Sequence, residues 1–303
     1  MKILVSVPGK IYLMGEHAVV YGRPALLAAI SRRLTVSVEP AGTLEIISTE
    51  PAGYIRYAAE YVVKEYAFQK LPNVKITVTS DIPAGYHLGS SAAVAVAVVG
   101  ALTYFLKKIW NPQVANQFAY EIEKQQHGNP SGADNTVVTT GGFLWYRREL
   151  EFLRSFWQLP VKLPPALNHF HIIDTGRPEE NTGEMVTYVR SEYQRHIVRY
   201  KKIFDENEEQ TKRIAVALKN ADEKTLIKSM RNGERTLEEM GVVSKKITPL
   251  IRKIERAGGA AKILGGGGRT DGVGYLLCYA HRSPAGSIPI RLGEEGIRLE
   301  HTV

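Results

Sequence analysis

At 303 residues, with 44% hydrophobic and 23% charged residues, the chain has ordinary globular composition and length for two domains or one large one, which excludes disordered and fibrous classes. A formal charge of +8 favours anionic ligands, but the basic residues fall in scattered pairs such as Lys107-Lys108, Arg147-Arg148, Lys201-Lys202 and Lys245-Lys246, with no basic arm or aromatic-interleaved stripe for nucleic acid. Cys278 is the only cysteine, which excludes an internal disulfide and a cysteine-based zinc site and points to a reducing, cytoplasmic compartment.

In chain order, residues 3–7 read as a first strand, and Pro8-Gly9-Lys10 interrupts the apolar run too early for a secretory signal. The stretch PGKIYLMGEHAVVYGRPAL follows, with Lys10 just past the strand and Glu16 and His17 in a glycine-bounded turn. Taken singly, a solvated lysine and a capping pair would account for them. Strands are expected at 34–39, 44–48 and 74–80, the last alternating Val74, Ile76 and Val78 with Lys75, Thr77 and Thr79, and a helix at 53–66.

The stretch IPAGYHLGSSAAVAVAVV then opens a helix over 91–107. Residues 88–106 approach the length of a bilayer span, roughly 20 residues. Ser90, Ser91, Gly100 and Thr103 interrupt the run, however, and Ala and Val dominate it, so a buried central helix is the preferred reading and no membrane partner is expected. A strand, a glycine bend at Gly85 and Gly89, and serines opening a helix also gather unpaired N–H groups at a positive helix end, which suits phosphate. An N-capped core helix is the plainer alternative.

A helix at 112–126 leads into EIEKQQHGNPSGADNTV, where Gly128, Pro130 and Gly132 force a tight loop that delivers Asp134. Glu123 is a carboxylate suited to Mg²⁺, and a self-bonded turn is the plainer role for Asp134. A hairpin is expected at 143–147 and 151–157, and a proline-bearing connection at 160–165 marks a domain boundary, giving 1–166 and 167–303. The second half reads as a strand at 169–174, helices at 184–205, 207–220, 223–240 and 244–257, a glycine run Gly265 to Gly268, and a strand at 274–279.

Together and in this order, PGKIYLMGEHAVVYG, PAGYHLGSSAA, HGNPSGADN and GAAKILGGGG resemble the motifs of the GHMP sugar and metabolite kinases, and the first and third resemble the mevalonate kinase branch. The resemblance implies an α+β, two-domain fold: a ribosomal protein S5 domain 2-like N-terminal ATP-binding domain and a ferredoxin-like C-terminal domain. It implies a Mg²⁺-ATP-dependent kinase acting on the C5 hydroxyl of (R)-mevalonate, with a homodimer as the assembly. Lys10 and Asp134 match the catalytic pair, Ser91 and Glu123 the Mg²⁺ ligands, and Glu16, His17 and Thr182 the acceptor side. Gly85, His87, Leu88, Gly89, Ser90, Ser91 and Ala92 match the ATP loop.

Two positions depart from the pattern. His87 stands where the second motif has glycine, and Leu264 where the third has threonine, with Arg269 a compensating charge beside an altered glycine spacing. The alternatives are another GHMP small-molecule kinase, of phosphomevalonate kinase, mevalonate 3-kinase, homoserine kinase or galactokinase type, and a non-catalytic nucleotide-binding protein on the same scaffold.

Overall fold

The computed structural model describes residues 2–83, 87–127, 131–150 and 153–302. The first strand, β1 (Ile3–Met14), runs well beyond residue 7 because β2 (Ala25–Pro40) pairs with it antiparallel along almost its whole length. Proline cannot donate to the ladder, and the register shifts between Pro8 and Gly9. That irregularity brings Gly9 so near the second motif that a Cβ there would lie 2.9 Å from the Leu88 carbonyl.

β3 (Glu45–Ser48) connects through helix α1 (Ala52–Glu65) to β4 (Val74–Ser80), the two strands lying parallel as a crossover requires. Helices α2 (Ser90–Lys107), α3 (Pro112–His127) and α4 (Ala133–Thr140) precede the hairpin β5 (Phe143–Arg148) and β6 (Arg154–Leu159). α2 is long and apolar enough to cross a membrane, yet 67% of it lies inside the protein, enclosed by β1, β2, α1, α3 and α4. A helix apolar all round is what that central position demands.

The second half contains β7 (Phe170–Asp174), α5 (Thr182–Arg195), α6 (Ile197–Asn220), α7 (Glu223–Met240), α8 (Thr248–Arg256), β8 (Ala260–Ile263), β9 (Tyr275–Tyr279) and β10 (Ser287–Pro289). Among the described residues its sheet has the order β10-β7-β9-β8, antiparallel throughout. The helix expected at 184–205 breaks at His196, whose backbone leaves the helical region at φ −134°, and α6 then continues unbroken through the stretch expected as a separate helix.

The last strand, β11 (Arg298–Thr302), pairs with β1, so the first sheet has the order β11-β1-β2-β4-β3 with β5 and β6 joined at β2. Strand pairing thus carries residues 298–302 back onto the first sheet, although the sequence boundary places them in the second half. Arg33 reinforces that return through the carbonyls of Glu295 at 2.8 Å and Gly296 at 2.7 Å. Nothing local in RLEHT signals it, because the partner strand is almost 300 residues away in the chain.

The returning segment packs against the turn after α4. Gly142 N–H donates to the Glu294 carbonyl at 2.8 Å, and a Cβ at Gly141, where φ is +71°, would lie 2.2 Å from the Gly296 nitrogen. Gly141→Ala is therefore expected to lower stability by about 2–3 kcal/mol. Gly53→Ala, in α1 with nothing within 4 Å, is expected to raise it by about 0.5 kcal/mol. Thermal melts of the two variants check both signs.

Candidate active site

Lys10 leaves the β1 irregularity with its N–H donating to the Leu88 carbonyl at 2.8 Å, which ties the strand to the entrance of α2. Its ammonium meets the Asp134 carboxylate at 2.9 Å and lies 4.7 Å from the Tyr12 ring centroid. Lys10 is 3% exposed and Asp134 37%, so the cation is held from inside while the carboxylate faces the open side. Asp134 lies in the first turn of α4 rather than in a loop, behind Gly132 at φ +82°. Gly128 and Pro130, expected to rigidify this approach, lie outside the described residues.

The second motif forms the start of α2. Gly89 occupies the cap position at φ +83°, and a Cβ there would lie 2.7 Å from Lys10 Cγ. Glycine therefore serves both the left-handed turn and the passage of the lysine stem. As cap residue it offers no side chain to the first-turn N–H groups, leaving the positive end of an 18-residue helix available to an anion. Leu88 and Ala92 are buried beneath that turn. Ser90 Oγ donates to Glu50 at 2.8 Å, while Ser91 Oγ and the Tyr54 hydroxyl both donate to Glu123 Oε1. Burial and the Glu123 charge push the Tyr54 phenol far above its ordinary value, so it stays protonated. Gly85 lies outside the described residues.

Of the two departures from the family pattern, His87 meets the glycine turn and Leu264 lies in the core. His87 takes φ +62°, a conformation suited to the glycine it replaces, and its ring packs on Gly265, where a Cβ would come within 2.4 Å of it. His87 Nδ1 shares a hydrogen bond with Thr182 Oγ1 at 3.2 Å, at the start of α5. Burial, aided by the Lys10 charge, lowers the imidazole to about 4, so it is neutral at physiological pH. Leu264, in place of the motif's threonine, is buried in the core. Arg269 stacks its guanidinium over the Tyr188 ring at 3.9 Å, and its N–H donates to Glu180.

Glu16 and His17 occupy the turn after β1, both almost fully buried. His17 Nε2 donates to the Gly266 carbonyl at 3.1 Å, which sets the tautomer, and burial lowers the imidazole to about 4. Glu16 Oε1 accepts from Lys262 Nζ in a fully buried ion pair. Burial raises the Glu16 carboxyl and Lys262 opposes the rise. Tyr12 lies among these groups, its phenol pushed up by burial and by Asp134 and then Glu16.

The structure thus gathers Lys10, Asp134, Glu16, His17, His87, Ser91, Glu123 and Thr182 around the start of α2. It adds residues that sequence reasoning missed: Lys262, Glu234, Tyr54 and Glu50. Lys262 had a usable signal, a lysine inside the otherwise apolar AAKIL. Tyr54 had none, since an aromatic at the start of an amphipathic helix is ordinary. Among the described residues no three His, Cys, Asp or Glu side chains cluster as a metal site, and Ser91 and Glu123 lie in direct contact between α2 and α3.

Residues 53–142 match the family described as "GHMP kinases N terminal domain". The chain is 32% identical to the mevalonate kinase of Thermococcus sibiricus, with both chains covered in full. It is 32% identical to that of Archaeoglobus fulgidus, covering 98% of this chain and 100% of the relative. The fold superposes on L. major mevalonate kinase in complex with R-mevalonate with a TM-score of 0.79 at 23% identity, covering 92% of this chain and 87% of that one.

Glu234, fully buried on α7, provides a pH test. Burial carries its carboxyl from 4.5 to about 8, so between those values the folded chain holds a proton that the unfolded chain has released. Its stabilising effect is complete below the lower value and is lost as pH rises through the upper one. The difference in thermal midpoint between wild type and Glu234→Gln is expected to shift in the variant's favour from about pH 5 to about pH 9. A constant difference would contradict the assignment.

Proposed function

The chain belongs to the mevalonate kinase family of the GHMP kinases, and on that premise we propose that it transfers the γ-phosphoryl group of ATP to the C5 hydroxyl of (R)-mevalonate, yielding 5-phosphomevalonate for isoprenoid precursor synthesis. The observation that carries this reading is the Lys10–Asp134 pair at 2.9 Å, set between the open end of α2 and the Glu16–His17 turn. In this reading residues 1–166 supply the nucleotide half, residues 167–303 bring Thr182 and the glycine turn, and the enzyme works in the cytoplasm; a homodimer follows from the family resemblance alone.

Phosphoryl transfer passes through a loose transition state, so the protein's task is mainly position and charge. The α2 N–H groups and Ser90 receive the phosphates, with Gly89 and Ala92 keeping that surface free of bulk. Ser91 and Glu123, already in contact between α2 and α3, are the hard-oxygen pair that fits Mg²⁺, an ion that takes few protein ligands and retains water. Bound there with ATP, Mg²⁺ neutralises phosphate charge.

Lys10 faces the transferred group, and a unit charge about 4 Å from a phosphate oxygen is worth about 4 kcal/mol at an effective dielectric near 20. Asp134 accepts the C5 hydroxyl hydrogen bond and takes the proton as the new O–P bond forms and the bond from the γ-phosphorus to ADP breaks. Glu16, His17 and Thr182 line the acceptor side. Neutral His17 and His87 add no positive charge there, which leaves Lys10 as the local cation beside Asp134.

Asp134→Asn and Lys10→Met are each expected to lower kcat by at least about 1,000-fold with little change in ATP affinity. ADP release with mevalonate, phosphomevalonate, homoserine and galactose in parallel, with product masses, tests both the roles and the acceptor; turnover of another alcohol alone would move the substrate within the superfamily. Glu123→Gln is expected to shift the Mg²⁺ titration of activity to higher concentration by about tenfold. An unshifted titration would leave Glu123 a packing residue of α3.

A further inference from the structure

We propose that Lys262 is a positioning residue for the acceptor side of the site, a buried pin from β8 that holds the Glu16–His17 turn in register with the opposite half of the molecule. The inference rests on the function proposed above and adds a residue to it.

β8 is buried at all four positions, and Lys262 is 0% exposed between Ala261 and Ile263. An ammonium in such a strand is costly unless each of its three donors is used. Its partners are the Glu16 carboxylate, the Tyr12 carbonyl at 3.3 Å and the Ile263 carbonyl at 2.5 Å. Two of the three belong to the segment that carries Lys10, Glu16 and His17, although Glu16 lies 246 residues away in sequence.

The strand is itself held from behind. Glu234 on α7 accepts the Ile263 N–H at 3.0 Å, flanking Lys262 with a second buried carboxyl. One ammonium cannot neutralise two carboxylates, and burial leaves the proton on Glu234, so the charged pair is Glu16 with Lys262. A few residues further on, the Gly266 carbonyl takes the His17 N–H. The same turn is therefore linked twice to the β8 segment, once by charge and once by a neutral hydrogen bond.

A buried ion pair is a weak means of stabilising a fold, since apolar residues of similar volume do as well or better. Its consequence here is geometric. Without Lys262, Glu16 is left as an unpaired buried charge and must move or bind a proton, and the turn shifts. The phosphate side is built on Gly89, Ser91 and Glu123, on α2 and α3 of the first half. Loss of Lys262 should thus separate the two substrates kinetically.

The test compares Lys262→Met, Glu16→Gln and the double variant with wild type, varying ATP and mevalonate separately, and unfolds each in denaturant without substrate. In Lys262→Met, kcat/KM for mevalonate is expected to fall about 10- to 100-fold while KM for ATP moves less than about threefold. The double variant is expected to be no worse than Lys262→Met in turnover, and the two unfolding losses to be less than additive. Unchanged kinetics for mevalonate, an equal loss on both substrates, or additive losses would overturn the pin. If Lys262→Met does not fold, the double variant, which has no orphaned charge, is compared with Glu16→Gln: matching KM for mevalonate supports the pin and a further rise overturns it. A wild type that turns over no mevalonate defeats the function reading alone, and the unfolding cycle then decides the pin, additive losses counting against it and non-additive losses for it.

Discussion

The ion pair between Lys10 and Asp134 sets conditions that the surrounding chain must meet. An ammonium 3% exposed cannot be left to water, so its backbone, stem and head are each held: the N–H by Leu88, the stem against Gly89, the head by Asp134. Each hold draws in another element. Leu88 ties β1 to the start of α2, Gly89 must lack a side chain for the lysine stem to pass, and Asp134 requires α4 to begin beside Lys10. The apolar helix α2, buried along most of its length, is the platform that keeps these parts at fixed spacing.

Around that pair the molecule controls charge by burial. Burial lowers His17 and, with the Lys10 charge, His87 to about 4, so both are neutral beside Lys10. Glu234 keeps its proton while Glu16 pairs with Lys262. These five titratable groups are thus either neutral or paired, which a low-dielectric interior demands.

His87 and the glycine turn illustrate how two departures from a motif become one arrangement. A histidine at φ +62° brings a ring into space that glycine would leave empty, and that ring reaches Thr182 and rests on Gly265, itself without a Cβ. The altered third motif accommodates the altered second. Seen separately each weakens the family pattern; in space they are complementary surfaces joining the nucleotide loop to the second half.

Fold class and chemistry were largely legible in the chain. Period-2 alternation marked β4, glycine and proline marked the turns, and the ordered motifs around Lys10, Ser91 and Asp134 pointed to a phosphoryl-transfer site, because local backbone geometry and phosphate chemistry constrain residue types at short range. Other features depend on partners distant in sequence. The extension of β1 depended on its pairing with β2, and the return of β11 and the identity of Lys262 as the partner of Glu16 were decided only when segments far apart in the chain met, since pairing energy resides in the partner and not in the segment. The sequence by itself determined which groups are present to hold phosphate and move a proton. The tertiary structure decided which of them are charged, because burial and neighbouring ions, fixed only on folding, govern where each proton remains.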